Sequence, residues 1–346
     1  MRFSLDVLEH PIVQAPLAGG PSTPALAVAV SAAGGLGFLA AGYRTPEAVR
    51  DDIEALRAQT GRPFGVNLFA PPGATPDSAA VERYAASLRG EAERYGAPLG
   101  EPRRDDDGWE AKLALVAERR VPVVSVTAGC PPEDVVAALH RAGAAVWITI
   151  TTPAEARAAV AVGADALVVQ GVEAGGHRAS FDDVAPGEYG LLALLQLVSA
   201  AVEAPLVATG GLATGRSIAA VLAAGAAAAQ LGTAFMRCPE AGTSEAHREA
   251  LAREEGTALT RAFTGRTARG IVNRFMREHA DAPSAYPEIH HVTTNVRKAA
   301  REQGDADGFH LWAGEAHTLA EPIPAGDLVH RLAAEARAAL AAAAAR

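Results

Sequence analysis

Paired glycines and amide side chains follow several short apolar runs of this 346-residue chain, and these residue types suit a phosphate-bearing ligand. The segment from Gln170 to His177 brings an amide, the Gly175-Gly176 pair and an imidazole together. Residues 209–211 read Thr-Gly-Gly, and residues 230–233 read Gln-Leu-Gly-Thr. In parallel α/β proteins, ligands bind at the carboxyl ends of the strands. The sequence therefore predicts one site at which these three segments meet.

Gly210, Gly211, Gly232 and Thr233 have the properties of a phosphate cup. Glycine permits positive φ angles and a close approach of the backbone to a ligand. The Thr233 hydroxyl, and a helix N-terminus that we expect after it, can donate to anionic oxygens. In α/β barrels this cup frequently follows strands seven and eight, where both motifs fall. One Gly-Gly pair alone is typical of a turn, but two after successive strands favour the phosphate of flavin mononucleotide (FMN).

Three amide side chains are candidates for reading the edge of a flavin ring. Gln170, Gln230 and Asn67 stand at or near the ends of apolar runs. Each amide carries both donors and an acceptor, as the alternating carbonyl and N–H edge of a flavin requires. The alternative for each is an interior amide whose hydrogen bonds are satisfied by the protein.

His177 is the candidate catalytic base. The preceding glycines, Gly175 and Gly176, can turn its ring over the strand ends, and its ordinary pKa near 6.5 lets it accept a proton at working pH. A lone histidine is usually a surface or core residue, and the chain has ten. The position after Gln170 and the glycines favours the catalytic reading here, whereas His290 and His291 have no such context.

Eight short, nearly continuous apolar runs alternate with segments of helical character, which predicts a closed parallel (β/α)8 (TIM) barrel. Helix starts are indicated by Thr45-Pro46 and Thr152-Pro153, where an N-cap residue precedes proline. The predicted strands are Ile12–Pro16, Leu36–Ala40, Phe64–Leu68, Val123–Ala128, Val146–Ile150, Ala166–Gly171, Leu206–Gly210 and Ala228–Phe235.

The chain is predicted to divide into a barrel and a cap. Residues 1–240 form the FMN-binding barrel, interrupted by a polar excursion over residues 71–110 that leaves the barrel. Residues 241–320, where charged helical segments replace the strand pattern, are predicted to form a helical cap over the strand ends. Residues 321–346 form a final helix that returns to the barrel.

Composition bounds the class of protein. The net charge of −9 offers no basic stripe for nucleic acid. No apolar run is long enough to span a bilayer. With only Cys130 and Cys238 and no signal peptide, we expect a reducing, cytoplasmic location without a disulfide. The expected partners are small molecules, and the chain is expected to be a monomer or a homodimer.

Other chemistries lack their motifs. There is no His-Glu-x-x-His, Cys-x-x-Cys or clustered carboxylate pattern, so no metal site is predicted. A Gly-x-Ser-x-Gly elbow for a hydrolase is also missing. Cys130 follows the fourth apolar run and could be a nucleophile, although a small buried thiol is the simpler reading.

The motifs resemble those of the nitronate monooxygenase family, once called 2-nitropropane dioxygenases, which are flavin-dependent TIM barrels. The resemblance runs over most of the chain and is most specific in the block from Gln170 to His177. It is carried by residues 11–16, 34–37, 67–69, 169–177, 209–212 and 230–233.

The resemblance implies that FMN is the cofactor and that His177 is the catalytic base or orients the substrate. The C-terminal pattern, including Tyr286-Pro287, is similar to the bacterial class I branch. That branch oxidises alkyl nitronates such as propionate 3-nitronate with O2 to a carbonyl compound plus nitrite or nitrate. Tyr286 would then line the substrate pocket. The residues implied to hold FMN are Asn67, Gln170, Gly175, Gly211, Gln230, Leu231, Gly232 and Thr233.

One position departs from the family pattern, and two other functions stay open. The family usually has glycine where Ala179 stands, which puts the geometry of that loop in question. An FMN-dependent enoyl-acyl-carrier-protein reductase shares the barrel and the Gly-Gly-His turn but would take electrons from NAD(P)H. A non-catalytic flavin-binding barrel is the remaining alternative.

Overall fold

A computed structural model describes residues 2–73 and 75–345 of the protein. Residues 1, 74 and 346, which fall in the predicted barrel, excursion and final helix, lie outside the described residues. Within the described ranges, the strands are β1 (Ile12–Gln14), β2 (Gly37–Ala40), β3 (Phe64–Phe69), β4 (Val123–Thr127), β5 (Ala145–Ile150), β6 (Ala166–Gln170), β7 (Gly176–His177), β8 (Leu206–Thr209), β9 (Ala228–Leu231), β10 (Thr257–Thr260) and β11 (Ala268–Ile271).

Helices occupy most of the intervening segments. Those in the described part are α1 (Pro24–Ala32), α2 (Pro46–Arg57), α3 (Ser78–Ser87), α4 (Arg89–Tyr95), α5 (Trp109–Glu118), α6 (Glu133–Arg141), α7 (Pro153–Ala161), α8 (Leu191–Ala201), α9 (Gly215–Ala223), α10 (Glu245–Leu251), α11 (Arg274–Glu278), α12 (Glu288–Glu302) and α13 (Ala325–Ala344). No helix among these residues combines the length and the apolar character needed to cross a bilayer.

The predicted TIM barrel is confirmed. Among the described residues, eight parallel strands pair in the order β1-β9-β8-β6-β5-β4-β3-β2. A parallel bridge between Val13 and Leu36 brings β1 and β2 together and closes the ring. The strands are covered on both faces, which is why each reads as a continuous apolar run. All six residues of β5, for example, are buried.

The amino end of the barrel is filled by side chains. The rings of Phe38 and Trp147 lie 5.7 Å apart inside the barrel, and Phe3 from the N-terminal segment packs on Trp147 at 6.2 Å. Phe38 and Trp147 are at most 1% exposed. This end of the barrel is therefore closed.

Helix starts follow the sequence rules. The Thr45 side chain accepts the Ala48 N–H and the Thr152 side chain accepts the Glu155 N–H, each with proline in the first turn, as predicted. The end of the eighth predicted strand is different. β9 ends at Leu231, and Thr233 opens a single 3-10 turn over Thr233–Phe235 in place of the α-helix that was expected there.

The segment 241–320 is not purely helical. Besides α10, α11 and α12, it contains the antiparallel hairpin β10–β11, and β11 pairs with β7 of the barrel loop, with Ala268 opposite His177. The hairpin is missing from the sequence prediction because its strands are short and only half apolar, so their stability comes from pairing with a distant segment. The final helix α13 packs on α1 and α9.

The excursion is joined to the cap by a buried ion pair. Helices α3 and α4 of the excursion pack against α12. Arg274 at the start of α11 donates to both carboxylate oxygens of Glu91 in α4, at 2.5 and 2.8 Å, and also contacts Glu278. Burial raises the pKa of Glu91, but the hydrogen bonds from Arg274 outweigh burial and hold that pKa below its ordinary value.

Removing this carboxylate should destabilise the protein. Glu91→Ala leaves the Arg274 guanidinium without its buried partner, and the free energy of unfolding should fall by about 3 kcal/mol. Glu249→Ala removes an exposed carboxylate paired with Arg253 and should cost less than about 0.5 kcal/mol. Urea denaturation measures both variants. Equal small losses would show that the Glu91 pair does not hold the excursion to the cap.

Candidate active site at the carboxyl ends of the barrel strands

A cavity of about 600 Å³ lies between the carboxyl ends of the barrel strands and the cap. Most of the residues predicted for the site line it, although they are far apart in the sequence. They are Asn67, Gln170, Gly175, His177, Gly210, Gly211, Gln230, Gly232 and Thr233. The strand ends therefore bring the predicted segments to one place.

Two predicted residues stand elsewhere. Leu231 is 1% exposed, its side chain packs in the core between strands and helices, and its carbonyl accepts the Ala15 N–H. Tyr286 lies behind the cavity wall, with its ring 5.7 Å from the ring of His177. Leu231 can contribute only backbone to the site, and Tyr286 contacts a cavity-lining residue, His177, from behind.

Neighbouring strands deliver polar side chains at one level. Gln170, Thr209 and Gln230 are register partners on β6, β8 and β9. Thr127 and Thr149, at or near the ends of β4 and β5, also line the cavity. Thr127 and Thr149 were not predicted from the sequence, because a threonine in a β-branched run reads as an ordinary strand residue.

Some of these polar groups have no protein partner. Gln230 and Thr209 are each 7% exposed, and neither side chain has a hydrogen-bond partner among the described residues. The Asn67 amide donates to Ser125 and Thr127, while its Oδ1 accepts nothing from the described chain. Polar groups buried to this degree are normally hydrogen-bonded. Donors and acceptors are thus free for a ligand at the strand ends.

Gln170 is already engaged by the protein. Its Oε1 accepts from the Ala179 N–H at 2.9 Å and from Arg178, and its Nε2 donates to the His177 carbonyl at 3.1 Å. Arg178 is 1% exposed and also donates to the Gly171 and Gly187 carbonyls. Gln170 therefore shapes the turn that carries His177 and has one N–H left for a ligand. Ala179, the departure from the family pattern, supplies only a backbone donor here.

The glycines at the site have different reasons to be glycine. Gly210 and Gly211 have φ of 126° and 66°, a region that other residues rarely adopt. At Gly175 a Cβ would lie 2.4 Å from the Gly314 nitrogen, so glycine is required there by the close approach of the cap. The Thr233 hydroxyl accepts the Gly314 N–H at 3.0 Å and keeps its own O–H to donate.

His177 is held on one side and open on the other. Its Nε2 lies 2.9 Å from the Thr264 Oγ1, and the rings of Tyr286 and Trp312 each stand 5.7 Å from its ring. Burial, together with the Arg266 and Arg297 charges, lowers the pKa of His177 to about 3. The imidazole is therefore neutral at pH 7 and can act as an acceptor.

One face of α12 makes the cavity positive. Arg297, Lys298 and Arg301 line it with Thr294, a spacing that places all four on one side of the helix. Burial lowers the pKa of Arg297 to about 10, so it stays charged at pH 7. No Asp or Glu is among the described residues that line the cavity. Sequence reasoning missed this face because basic residues on a helix usually face solvent.

Arg297 orients two further histidines. It contacts Nδ1 of His290 and Nδ1 of His310, each at 3.2 Å. His290 also stacks on Tyr43, with the ring centroids 4.2 Å apart, and both residues line the cavity. His291 points away and pairs with Asp105 at 2.8 Å. Of these two histidines, which lacked a strand-end context in the sequence, His290 lines the cavity and His291 does not.

A closed α/β barrel with a capped, polar and positively charged cavity at its carboxyl end is the architecture of a barrel enzyme. The model of the nitronate monooxygenase family matches residues 3–335. A nitronate monooxygenase from Pseudomonas aeruginosa is 40% identical over 344 residues, covering 95% of this chain and 97% of that protein.

Two solved structures are similar over nearly the whole chain. A nitroalkane oxidase from Streptomyces ansochromogenes has a TM-score of 0.95 and 53% identity, covering 98% of this chain and 100% of that one. FabK from Thermotoga maritima has a TM-score of 0.78 and 28% identity, covering 99% and 97%. The chain belongs to the nitronate monooxygenase family and is an oxidoreductase, which confirms the resemblance noted in its motifs.

The buried histidines predict acid sensitivity. His247 lines the cavity with its Nε2 3.1 Å from the Trp312 carbonyl oxygen, and burial lowers its pKa from 6.5 to about 4. On acidification, His247 takes up a proton in the unfolded chain before it does so in the folded protein. The contribution of neutral His247 to the free energy of unfolding is therefore complete above pH 6.5 and is lost as the pH falls toward 4. His247→Gln keeps an N–H donor but cannot be protonated, so it should lose less stability on acidification. Urea unfolding between about pH 5 and 7.5 measures this, and parallel curves for both proteins would contradict it.

Proposed function

We propose that the protein binds FMN at the barrel strand ends and oxidises alkyl nitronates with O2 to a carbonyl compound plus nitrite or nitrate. The observation that carries this proposal is the charge of the cavity. Its described lining holds three cationic side chains of α12 and no carboxylate. A nitronate is an anion, and the family supports the oxidation of nitronates or nitroalkanes as the broader activity.

The unpartnered groups at the strand ends fit FMN. Gly210 and Gly211, with Gly232 and Thr233 beside them, would hold the phosphate through backbone N–H groups and the threonine hydroxyl. The free amide of Gln230 and the Oδ1 of Asn67 would meet the polar edge of the ring. When bound, FMN supplies the electron acceptor for substrate oxidation.

The cap would hold the substrate. Arg297 is fixed by its contacts to His290, His310 and Thr293, it lines the cavity, and no carboxylate of the described residues pairs with it. Lys298 is largely exposed and stands at the rim. A substrate with a second anionic group, such as propionate 3-nitronate, would place its carboxylate near this helix. His177, which lines the same cavity, would lie beside the bound substrate as the candidate base.

The alternative function, enoyl-thioester reduction, requires a different electron donor. An FMN-dependent enoyl-thioester reductase must accept NAD(P)H as electron donor, whereas a nitronate oxidase reduces its flavin with the substrate itself. The strand-end residues proposed to bind FMN would serve either reaction. The choice between them therefore depends on which compound delivers electrons.

Oxygen uptake decides between these functions. The protein should purify yellow, consume O2 with propionate 3-nitronate and release nitrite or nitrate, because the cavity accepts the anion next to the flavin. The same preparation should oxidise NADPH no faster with an enoyl thioester than without it. Rapid NADPH oxidation and no uptake with the nitronate would favour the reductase, and a yellow protein inactive in both assays would be a flavin-binding barrel.

The position of the cofactor can be tested separately. A Val at Gly211 would adopt a positive φ poorly, and its Cβ would lie 3.1 Å from the Glu173 Cβ, so the Gly211→Val protein should purify largely without flavin. Gly143→Val carries a comparable backbone strain, with φ of 94°, at a helix end away from the cavity, and should keep its flavin. The ratio of flavin to protein absorbance measures both. Full flavin content in Gly211→Val would show that the phosphate lies elsewhere.

A further inference from the structure

The cap contributes a hydroxyl to His177 as well as the substrate-binding face. Thr264 lies in the loop between β10 and β11, is 2% exposed, and places its Oγ1 2.9 Å from Nε2 of His177. The same Oγ1 lies 3.3 Å from the Arg266 carbonyl oxygen and 3.4 Å from the Arg266 backbone nitrogen. One hydroxyl therefore faces an imidazole nitrogen, a carbonyl and an N–H.

Only one arrangement of protons satisfies all three contacts. A hydroxyl has one proton to donate and two lone pairs to accept with. If Thr264 donates to the Arg266 carbonyl, it can accept from both the Arg266 N–H and a proton on Nε2 of His177. If it donates to Nε2 instead, its oxygen and the Arg266 carbonyl face each other as two acceptors. That carbonyl has no other donor among the described residues, so the first arrangement is favoured.

The proton on Nε2 leaves Nδ1 with a lone pair. Nδ1 of His177 has no hydrogen-bond partner in the described part of the chain and is not sealed from solvent, so it opens to the cavity that His177 lines. The neighbouring Tyr286 and Trp312 rings, with the Gln170 amide on the His177 carbonyl, restrict rotation of the residue. The contact of Nε2 with Thr264 thus leaves Nδ1 as the ring nitrogen that faces the open part of the cavity.

We infer that Thr264 is the positioning residue that fixes the tautomer of His177, so that Nδ1 can take a proton from the α-carbon of a neutral nitroalkane. This inference rests on the function proposed above and extends it to the neutral acid. The proton moves from the α-carbon to Nδ1, and the C–H electron pair forms the C=N bond of the nitronate, whose charge resides on the oxygens. The imidazolium then keeps its Nε2–H donated to Thr264, which itself loses no proton.

Two substrates that differ by one proton test the role of Thr264. Nitroethane must lose its α-proton to His177, whereas ethyl nitronate arrives without it. Thr264→Val has nearly the same shape but cannot accept from Nε2, so kcat/KM for nitroethane should fall about 10- to 100-fold. The value for ethyl nitronate should stay within about threefold of wild type, because no interaction with the anion is removed. Thr264→Ser retains the hydroxyl and should restore both.

The result that overturns the inference is an equal loss on both substrates, which would make Thr264 merely structural, or no loss on nitroethane. A wild-type enzyme that oxidises ethyl nitronate but not nitroethane would also overturn it. If the wild type oxidises neither compound with O2, the proposed function fails, and that outcome is distinct from any effect of Thr264.

A second measurement does not depend on turnover. In the FMN-loaded protein labelled with 15N-histidine, long-range 1H–15N correlation spectra show which ring nitrogen carries the proton, and His177→Asn identifies the signals of His177. Wild type and Thr264→Ser should show the proton on Nε2, and Thr264→Val should populate the form with the proton on Nδ1. A wild-type His177 protonated on Nδ1 would overturn the inference whatever the kinetics.

Discussion

The antiparallel pairing of β7 with β11 is the interaction on which the site depends. β7 is only two residues long, Gly176 and His177, and it belongs to the loop that leaves the barrel after β6. Without β11 this loop would have no partner strand to fix its backbone. The pairing sets His177 opposite Ala268, and it brings Thr264 and Trp312 of the cap to the imidazole. The surroundings of the His177 ring are therefore made jointly by barrel and cap.

The cavity is also constrained by its charge. Arg297 is 6% exposed, and its described partners are hydroxyls, a carbonyl and imidazole nitrogens, none of which neutralises it. Burying a cation without a counter-ion costs free energy. A bound anion would recover part of that cost, which links substrate binding to the stability of the cap. Burial lowers the pKa values of His177, His247 and His290, and the nearby arginine charges lower them further.

Much of the barrel was predictable because its strands are buried on both faces and therefore appear as continuous apolar runs. The limits of the prediction are seen at β9, where Ala234 and Phe235 continue the apolar pattern although the strand ends at Leu231. The hairpin β10–β11 was not predictable from local pattern, since one of its strands, β11, pairs across about 90 residues with β7.

The residues of the site could be identified from the sequence more readily than their partners. Gln170 was marked by its place at a strand end, but its engagement with Arg178 and Ala179 depends on the path of a loop. His290 and Arg297 gave no signal, because a histidine and an arginine on a charged helix usually face water. Their burial comes from the packing of α12 over the barrel, which no local pattern specifies.

The closed amino end of the barrel has a consequence for traffic through the enzyme. Phe3, Phe38 and Trp147 pack across that end, and the cavity lies between the opposite strand ends and the cap, so molecules would reach it from the side of the cap. An entering substrate and a leaving product would then use the same opening beside the cap, so the product would have to leave before the next substrate binds. The rate of turnover can thus be limited by product release, independently of the rate of the chemical step.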